Sequence, residues 1–347
     1  MGHMRLLMLT SSLKHSDGWG RYSLGFISEA RKRYGDDSVT VLDPRVDIAR
    51  ALIEAARNSD IIHVLTEPSA PFAMLIAMIA RKPFVISAHG TYADIRSYPW
   101  YQRPFYWLAF RRAAAIVAVS RYTGEVVRRG YGRSVSDIVP GGFENTMNAP
   151  VGRSLGSPPQ ILSVGALKPR KGFHTLLKSL GILRRSGFDF RCRIIGAKLD
   201  AEYFSRLENL VIDNDLSGRV IFAHGVSDDA LKRAYAEADL FVLPSEHKGT
   251  AFEGLGLVYL EALAMGTPVI GCRQSGAEDV IAEGVNGYLV NPASAEELAE
   301  AIRKILGNPE TWARLSVQAP ASVSFFAWDR VGGRMSEIYN RVCASKA

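Results

Sequence analysis

The chain has 347 residues, of which 47% are hydrophobic and 22% are charged, and its formal net charge is +7. This length and apolar content suit two globular domains with separate cores and exclude a disordered protein. Three widely spaced cysteines argue against a disulfide framework, and the longest apolar run, residues 71–80, is shorter than the roughly 20 residues of a membrane-spanning helix. At the start of the chain, residues 1–3 are interpreted as an expression tag before a native Met4, with no signal peptide after it.

Apolar runs alternate with amphipathic helical patterns in the first half of the chain, which predicts a doubly wound parallel sheet. The predicted strands are 5–10, 39–42, 61–65, 84–88, 116–119 and 136–139. Ligands bind open α/β sheets at the carboxyl ends of strands. Two segments lie there: a glycine loop with Gly18 and Gly20 after the first strand, and His89 after the fourth. Taken alone, the loop could equally be a tight turn, and a single histidine is more often structural.

The basic excess is concentrated between Arg81 and Arg133, where ten basic residues face only Asp94 and Glu125. Residues 98–110 of this window include seven aromatic side chains. Aromatic rings beside cationic groups predict contact with an anionic membrane surface. The alternative is a core helix flanked by a solvated basic face. No nucleic-acid-binding module is recognisable, so nucleic acid is not expected as a partner.

A polar segment with glycine and proline, residues 146–160, predicts a linker between two domains, residues 4–145 and 161–325. A second Rossmann-like series of strands follows the linker. Its predicted strands are 161–164, 191–195, 220–223, 240–243, 269–271 and 287–290. Three cations, Lys168, Arg170 and Lys171, come just after the first of them and could neutralise phosphate charge.

Residues 241–270 hold the most informative pattern. Glu253 and Glu261 bracket a glycine-rich turn, residues 254–256, that leads into an apolar helix from Leu257. A diphosphate could lie against the amides at the start of that helix, because glycine has no Cβ to block the approach. Glu261 could accept hydrogen bonds from vicinal hydroxyls, and Glu253 could reach an attached sugar. Two glutamates at this spacing, without their neighbours, would be ordinary surface acids.

At these residues the chain resembles the retaining glycosyltransferases of family 4, whose signature is a Glu-x7-Glu pair. The matching residues are Glu253, Gly254, Gly256, Glu261, Gly266, Pro268, Val269, Gly276, Glu278, Asn286 and Gly287. The likeness covers nearly the whole chain. It implies the α/β GT-B fold, with two Rossmann-like doubly wound parallel-sheet domains facing a cleft. The N-terminal domain would bind the acceptor, the C-terminal domain the nucleotide sugar, and residues 326–347 would form a helix crossing back to the N-terminal domain.

The resemblance also implies roles for individual residues. The catalytic candidates are Glu253, His89 and Lys171. The candidates for binding donor phosphate and sugar are Gly18, Gly20, Arg170, Lys171, Glu253, Gly254, Leu255, Gly256 and Leu257. The candidates for binding ribose and base are Glu261, Gly196 and Val226. No metal or other cofactor is expected, since no DxD-like pair or His/Cys cluster is evident.

The chain departs from the family pattern in two places. Ala166 stands where the family usually has an arginine, and either Arg170 or Lys168 could supply that charge. The segment from Ser245 to Glu253 is longer than the commonest family spacing, so the identity of the donor does not carry over.

These observations predict a retaining hexosyltransferase that uses a UDP- or GDP-hexose and a glycan or glycolipid hydroxyl, in cell-surface polysaccharide or lipopolysaccharide synthesis. The protein would be cytoplasmic and peripheral on the inner face of the plasma membrane. Two alternatives stay open: a GT-B sugar-nucleotide epimerase, and a non-catalytic protein that binds sugar nucleotides or a partner. An NAD dehydrogenase is disfavoured because residues 11–20 lack the GxGxxG fingerprint. The sequence gives no indication of oligomeric state.

Overall fold

The computed structural model describes residues 4–14, 17–143 and 152–345. The chain forms two compact units. Residues 1–144 and 326–347 make up the first unit, and residues 145–325 make up the second. Residues 1–3, which were interpreted as a tag, and the first part of the predicted linker, residues 146–151, lie outside the described residues.

The first unit contains a six-stranded parallel sheet in the order β2-β1-β3-β4-β5-β6. Its strands are β1 (Leu6–Leu9), β2 (Val39–Leu42), β3 (Ile61–Val64), β4 (Phe84–Ala88), β5 (Ala115–Ala118) and β6 (Asp137–Ile138). Its helices up to residue 143 are α1 (Gly18–Tyr34), α2 (Ala49–Arg57), α3 (Ala70–Ala80), α4 (Arg103–Arg112) and α5 (Arg121–Tyr131). Side chains of β1, β3 and β4 are almost all fully buried, as expected where helices cover both faces of a parallel sheet.

The second unit repeats this architecture with the strand order β12-β11-β10-β7-β8-β9, again all parallel. Its strands are β7 (Gln160–Val164), β8 (Arg191–Ile195), β9 (Val220–Ala223), β10 (Leu240–Val242), β11 (Val269–Cys272) and β12 (Gly287–Val290). Its helices are α6 (Phe173–Arg185), α7 (Ala201–Asp213), α8 (Asp228–Glu237), α9 (Leu257–Ala264), α10 (Ala295–Leu306) and α11 (Pro309–Val323).

The last helix, α12 (Trp328–Ala344), belongs to the first unit. The ring of Trp328 lies where a Cβ on Gly25 or Gly142 would stand, 2.0 Å and 2.6 Å from the nearest ring atoms. Further along the helix, the hydroxyl of Tyr339 lies 2.6 Å from Nδ1 of His63 on β3. The helix is therefore fitted to α1 and β3 by specific contacts.

The predicted pair of parallel Rossmann-like sheets is confirmed, and all twelve predicted strands are present with shifts of one residue at some ends. The pattern was sufficient because buried parallel strands are continuous apolar runs. Within the described residues, no helix has both the length and the apolar composition needed to cross a membrane.

Candidate active site

In the second unit, the turn after β7 carries Lys171 to the carboxyl end of the sheet. Residues 169–171 form one 3-10 turn, and Gly172 follows with a φ of +69° before α6 begins. A Cβ on Gly172 would lie 1.8 Å from the carbonyl oxygen of Pro244, which lies two residues after the end of β10. Only glycine allows this close approach of the two loops, which brings Lys171 next to the loop that carries Glu253.

The carboxylate of Glu253 is the centre of this candidate site. Its Oε2 accepts a hydrogen bond from Lys171 Nζ at 2.5 Å and another from Ser245 Oγ at 3.0 Å. Arg170 Nη1 lies 3.5 Å from the same oxygen. The side chains of Glu253 and Lys171 are only 10% and 12% exposed, so this ion pair is nearly buried.

The positive neighbours keep Glu253 ionised. Burial would raise the pKa of its carboxyl group, but the charges of Lys171 and Arg170 outweigh burial and lower that pKa to about 2. Burial also lowers the pKa of Lys171, and the charge of Glu253 opposes that effect. Each charge favours the ionised form of the other, so the pair is ammonium and carboxylate at neutral pH.

Helix α9 begins beside this pair without a side-chain cap. Its N-cap residue is Gly256, whose φ is +82°, and Leu257 is its first helical residue. Gly254 and Leu255 form the buried turn between Glu253 and the helix. The N-cap side chains of α7, α8, α10 and α11 all accept hydrogen bonds from amides of their helices. Because no N-cap side chain bonds to the amides of α9, this helix start is suited to an anion.

The other predicted members of the site in the second unit lie at neighbouring loops. Glu261 is half-buried on α9, and its Oε2 accepts a hydrogen bond from the hydroxyl of Tyr235 at 2.7 Å. Gly196 follows β8, donates its N–H to Ala223 O at 3.0 Å, and accepts at its carbonyl from His224 Nδ1 at 2.5 Å. Val226 is half-buried in the turn before α8.

Of the two cations proposed to replace the family arginine at Ala166, Arg170 lies near Glu253 and is half-buried, whereas Lys168 is exposed. The long loop from Ser245 to Glu253 is held in place, because Glu246 N donates to Arg170 O at 2.8 Å. A cavity of about 320 Å³ lies beside this loop. Its lining residues are Lys168, Pro169, Arg170, Leu199, Asp200, Lys248 and Ala251.

In the first unit, His89 follows β4 and is held on three sides. Its main-chain N–H donates to Glu67 Oε1 at 2.6 Å, and its ring Nε2 lies 2.7 Å from Leu65 O. The ring of Tyr22 packs edge-on against it, with centroids 4.1 Å apart. Because a carbonyl oxygen only accepts, Nε2 carries the proton and Nδ1 is an acceptor. Burial lowers the pKa of His89 to about 4, so the ring is neutral at physiological pH.

The glycine loop of the first unit starts α1, with Asp17 as its N-cap and Gly18 as its first residue. The carboxylate of Asp17 accepts from Gly20 N–H at 2.6 Å and from Ser12 Oγ at 2.7 Å. An acidic side chain therefore already occupies this helix start. The role of Gly18 and Gly20 in binding donor phosphate stays a prediction, and a phosphate there would compete with Asp17.

The aromatic residues of the basic window divide into two groups. Tyr98, Tyr106 and Phe110 are buried in the core of the first unit. The exposed group, with α3 residues that sequence analysis missed, is Phe72, Leu75, Met78, Ile79, Trp100, Tyr101, Phe105 and Trp107. Helices α3 and α4 pack together, so we call this group the α3–α4 surface. Arginine borders it: Arg112 Nη1 lies 3.4 Å from Met78 Sδ, and the Arg111 guanidinium lies 5.5 Å from the Trp107 ring centroid.

Sequence reasoning also missed Ser245, Tyr235 and Glu67. Ser245 follows β10 and Glu67 follows β3, and that position after a strand end could have identified them. Tyr235 lies within α8, where no such signal exists. In the described part of the chain, no three His, Cys, Asp or Glu side chains are grouped as ligands of a metal ion would be.

Two family profiles match the chain. The profile described as "Glycosyl transferases group 1" matches residues 148–321, and the one described as "Glycosyltransferase Family 4" matches residues 31–144. The GDP-mannose-dependent alpha-(1-6)-phosphatidylinositol monomannoside mannosyltransferase of Mycolicibacterium smegmatis is 28% identical over 319 residues, which cover 86% of this chain and 81% of that protein. The lipopolysaccharide core biosynthesis glycosyltransferase LpsE of Rhizobium meliloti is 36% identical over 162 residues, covering 46% of this chain and 42% of the relative.

Among solved structures, Anabaena Alr3699/HepE in complex with UDP and glucose superposes with a TM-score of 0.81. The alignment covers 98% of this chain and 100% of that one at 21% sequence identity. At this identity the likeness shows the fold alone, and the fold is GT-B as expected.

Proposed function

Since the chain belongs to the glycosyl transferases group 1 family and is therefore a hexosyltransferase, we propose that it transfers a hexose, with retention of anomeric configuration, from a UDP- or GDP-hexose to a hydroxyl group of a glycan or glycolipid. We place this reaction in the synthesis of cell-surface polysaccharide or lipopolysaccharide, at the cytoplasmic face of the plasma membrane. The names of the mannosyltransferase and lipopolysaccharide relatives support a glycolipid acceptor.

The observation that carries this proposal is the buried contact of Lys171 with Glu253 beside the uncapped start of α9. A donor diphosphate would bind the amides of α9 and draw the ammonium group of Lys171 towards its oxygens. Lys171 and Arg170 would then stabilise the charge that develops on the departing nucleotide. Glu253 would bind hydroxyls of the sugar, and Glu261 those of the ribose.

The proposed retention of anomeric configuration rests on these assignments of Glu253 and Glu261. Glu253 and Glu261 are used for binding hydroxyls, so neither is assigned as a nucleophile for double displacement. We infer attack on the same face that the phosphate leaves, with the phosphate taking the acceptor proton. The anomeric configuration of the product, followed by NMR from the first turnovers, tests this inference, and an inverted product contradicts it.

The donor is tested by thermal stabilisation against UDP, GDP, ADP, UDP-glucose and GDP-mannose. The panel includes both bases because a relative is named for GDP-mannose and a structural neighbour was solved with UDP. A ligand that binds the native state raises its melting temperature. We expect a shift with one base that disappears in the Lys171→Met variant. No shift with any nucleotide would contradict the proposal and favour the non-catalytic alternative.

We also propose that the α3–α4 surface contacts an anionic membrane. Trp100 is 78% exposed and Phe72 is 53% exposed, and the bordering arginines complement anionic lipid. Cosedimentation should retain the protein on phosphatidylglycerol vesicles more than on phosphatidylcholine vesicles, and less at high salt. The double variant Trp100→Ser/Phe72→Ser should lose retention. Val317→Ser, which removes an 80% exposed apolar residue of the second unit, is the control. Equal retention of both variants would contradict a role of this surface.

A further inference from the structure

We propose that Glu67 is a positioning residue, which holds the main chain of the His89 loop in the conformation that hexose transfer requires. The part that concerns transfer rests on the proposed function. Glu67 lies in the turn of residues 67–69, between β3 and α3, and no sequence motif pointed to it.

The geometry of Glu67 is that of an anchor inside the protein. Its side chain is completely buried, and Oε1 accepts the N–H of His89 at 2.6 Å. In the part of the chain that the structure describes, Oε2 is buried without a hydrogen-bond partner. A buried oxygen without a partner costs stability, so an apolar side chain would serve a purely structural role better. The hydrogen bond that this carboxylate makes is to the His89 loop, so the contact points to that loop.

The same short segment fixes both the main chain and the ring of His89. The carbonyl of Leu65 accepts from ring Nε2 at 2.7 Å, two residues before Glu67 accepts from the His89 amide. The Leu65 contact fixes the tautomer and leaves Nδ1 as the acceptor for a substrate hydroxyl, and the Glu67 contact holds the main chain that positions the ring. Release of the Glu67 contact would free the main chain on one side of the ring.

The groups that face Glu67 from other elements carry no positive charge that would offset its own at neutral pH. These groups are His89 after β4, Tyr22 on α1, Tyr98 before α4 and Tyr131 at the end of α5. After burial, the charge of Glu67 is a further cause that raises the pKa of each of these tyrosines. Within the described residues, no lysine or arginine forms an ion pair with Glu67. Burial raises the pKa of Glu67 to about 7, although the amides of His89, of Glu67 itself and of Gly90 oppose this rise.

The test compares Glu67→Gln, which keeps an oxygen that accepts from His89 but does not titrate, with Glu67→Ala, which removes the acceptor. Glu54→Gln, at an exposed position on α2, is the matched control. The first readout is NMR of the uniformly ¹⁵N-labelled full chain, with His89 assigned by comparison with His89→Gln. The second is kcat and KM with GDP-mannose and UDP-glucose.

We expect the amide shift of His89 to titrate near pH 7 in the native protein and in Glu54→Gln, and not in Glu67→Gln. In Glu67→Ala the ring ¹⁵N shifts should show a mixture of tautomers, and kcat should fall about 100-fold with donor KM unchanged within twofold. If Glu67→Ala does not fold, the titration in Glu67→Gln decides alone. If the folded Glu67 variants show the same His89 signals and the same pH titration as the native protein, the proposal is overturned. If the His89 signals are altered in the Glu67 variants but the native protein turns over neither donor, the result supports positioning and counts against the proposed function.

Discussion

Two buried carboxylates, one in each unit, have opposite electrostatic properties. Glu253 is 8% exposed and Glu67 is 0% exposed, so burial hardly distinguishes them. The pKa of Glu253 falls to about 2 beside Lys171, whereas that of Glu67, which bonds to main-chain amides, rises to about 7. A cation offsets the loss of hydration, whereas main-chain amides do not. The partner, rather than the depth of burial, therefore decides whether such a group is charged at neutral pH.

Removal of the cation beside Glu253 should have the largest effect. Lys171→Met leaves a charged carboxylate in a nearly buried site, which should lower the free energy of unfolding by about 3–5 kcal/mol. Urea denaturation at pH 7 measures the loss. The double variant Lys171→Met/Glu253→Gln should regain most of the stability without regaining nucleotide binding. A loss below about 1 kcal/mol in the single variant would mean that water, rather than Lys171, satisfies Glu253.

A second prediction concerns pH and Glu67. Its native pKa lies above its ordinary value of 4.5, so the native state keeps a proton that the unfolded chain releases between pH 4.5 and about 7. The stability of the native protein relative to Glu67→Gln should therefore fall as pH rises through this window, by roughly 3 kcal/mol at most.

Denaturation of both proteins across the pH series measures this difference. His63 and His89, whose pKa values fall to about 3 and about 4 through burial, add a slope of opposite sign to each protein, and this slope largely cancels in the comparison. A difference that does not change with pH would show that Glu67 is ionised throughout the window, as Glu253 is.

A smaller effect is expected from Ser245→Ala. Its hydroxyl donates to Glu253 Oε2 at 3.0 Å, and a hydrogen bond to a charged group contributes about 1.5–3 kcal/mol. Thermal and urea unfolding should show a loss at the lower end of this range. Ser336→Ala on α12, where the hydroxyl donates to the neutral carbonyl of Gly332, is the control and should cost less. Equal losses would mean that the charge on Glu253 adds nothing to this bond.

The smallest effect should come from Tyr235→Phe. The hydroxyl of Tyr235 donates to Glu261 at 2.7 Å, but Glu261 is half-buried and water can replace the lost bond. We expect a loss of about 0.5–1 kcal/mol in unfolding experiments. A loss of stability as large as that of Ser245→Ala would mean that water does not replace the lost bond to Glu261, as it does not at Glu253.

The sequence predicted the fold and part of the site well, for identifiable reasons. Continuous apolar runs marked the strands, and the glutamate and glycine spacing marked the turn before α9. Glu67 was missed because an acid before proline at a strand end is typical of a solvated loop. The groups that face Glu67 come from distant segments, namely His89 after β4, Tyr22 on α1, Tyr98 before α4 and Tyr131 on α5, and no local pattern reports that packing.

Two other features were incompletely predicted. The aspartate three residues before Gly20 is an ordinary N-cap signal, and considering it would have predicted that Asp17 takes the Gly20 amide. The apolar run of residues 71–80 was considered only as a possible membrane span. Its length does not reveal that four of its side chains, Phe72, Leu75, Met78 and Ile79, remain exposed in the folded chain.

The position of Trp328 also bears on how the chain is made. This residue fills the space left by Gly25 and Gly142, yet the ribosome must add the whole second unit before reaching it. During synthesis the first unit therefore lacks α12, whose Met335 and Tyr339 are buried, while the second unit is contiguous and complete as soon as residue 325 has emerged. Folding can then finish in the reverse of the order in which the two units are translated.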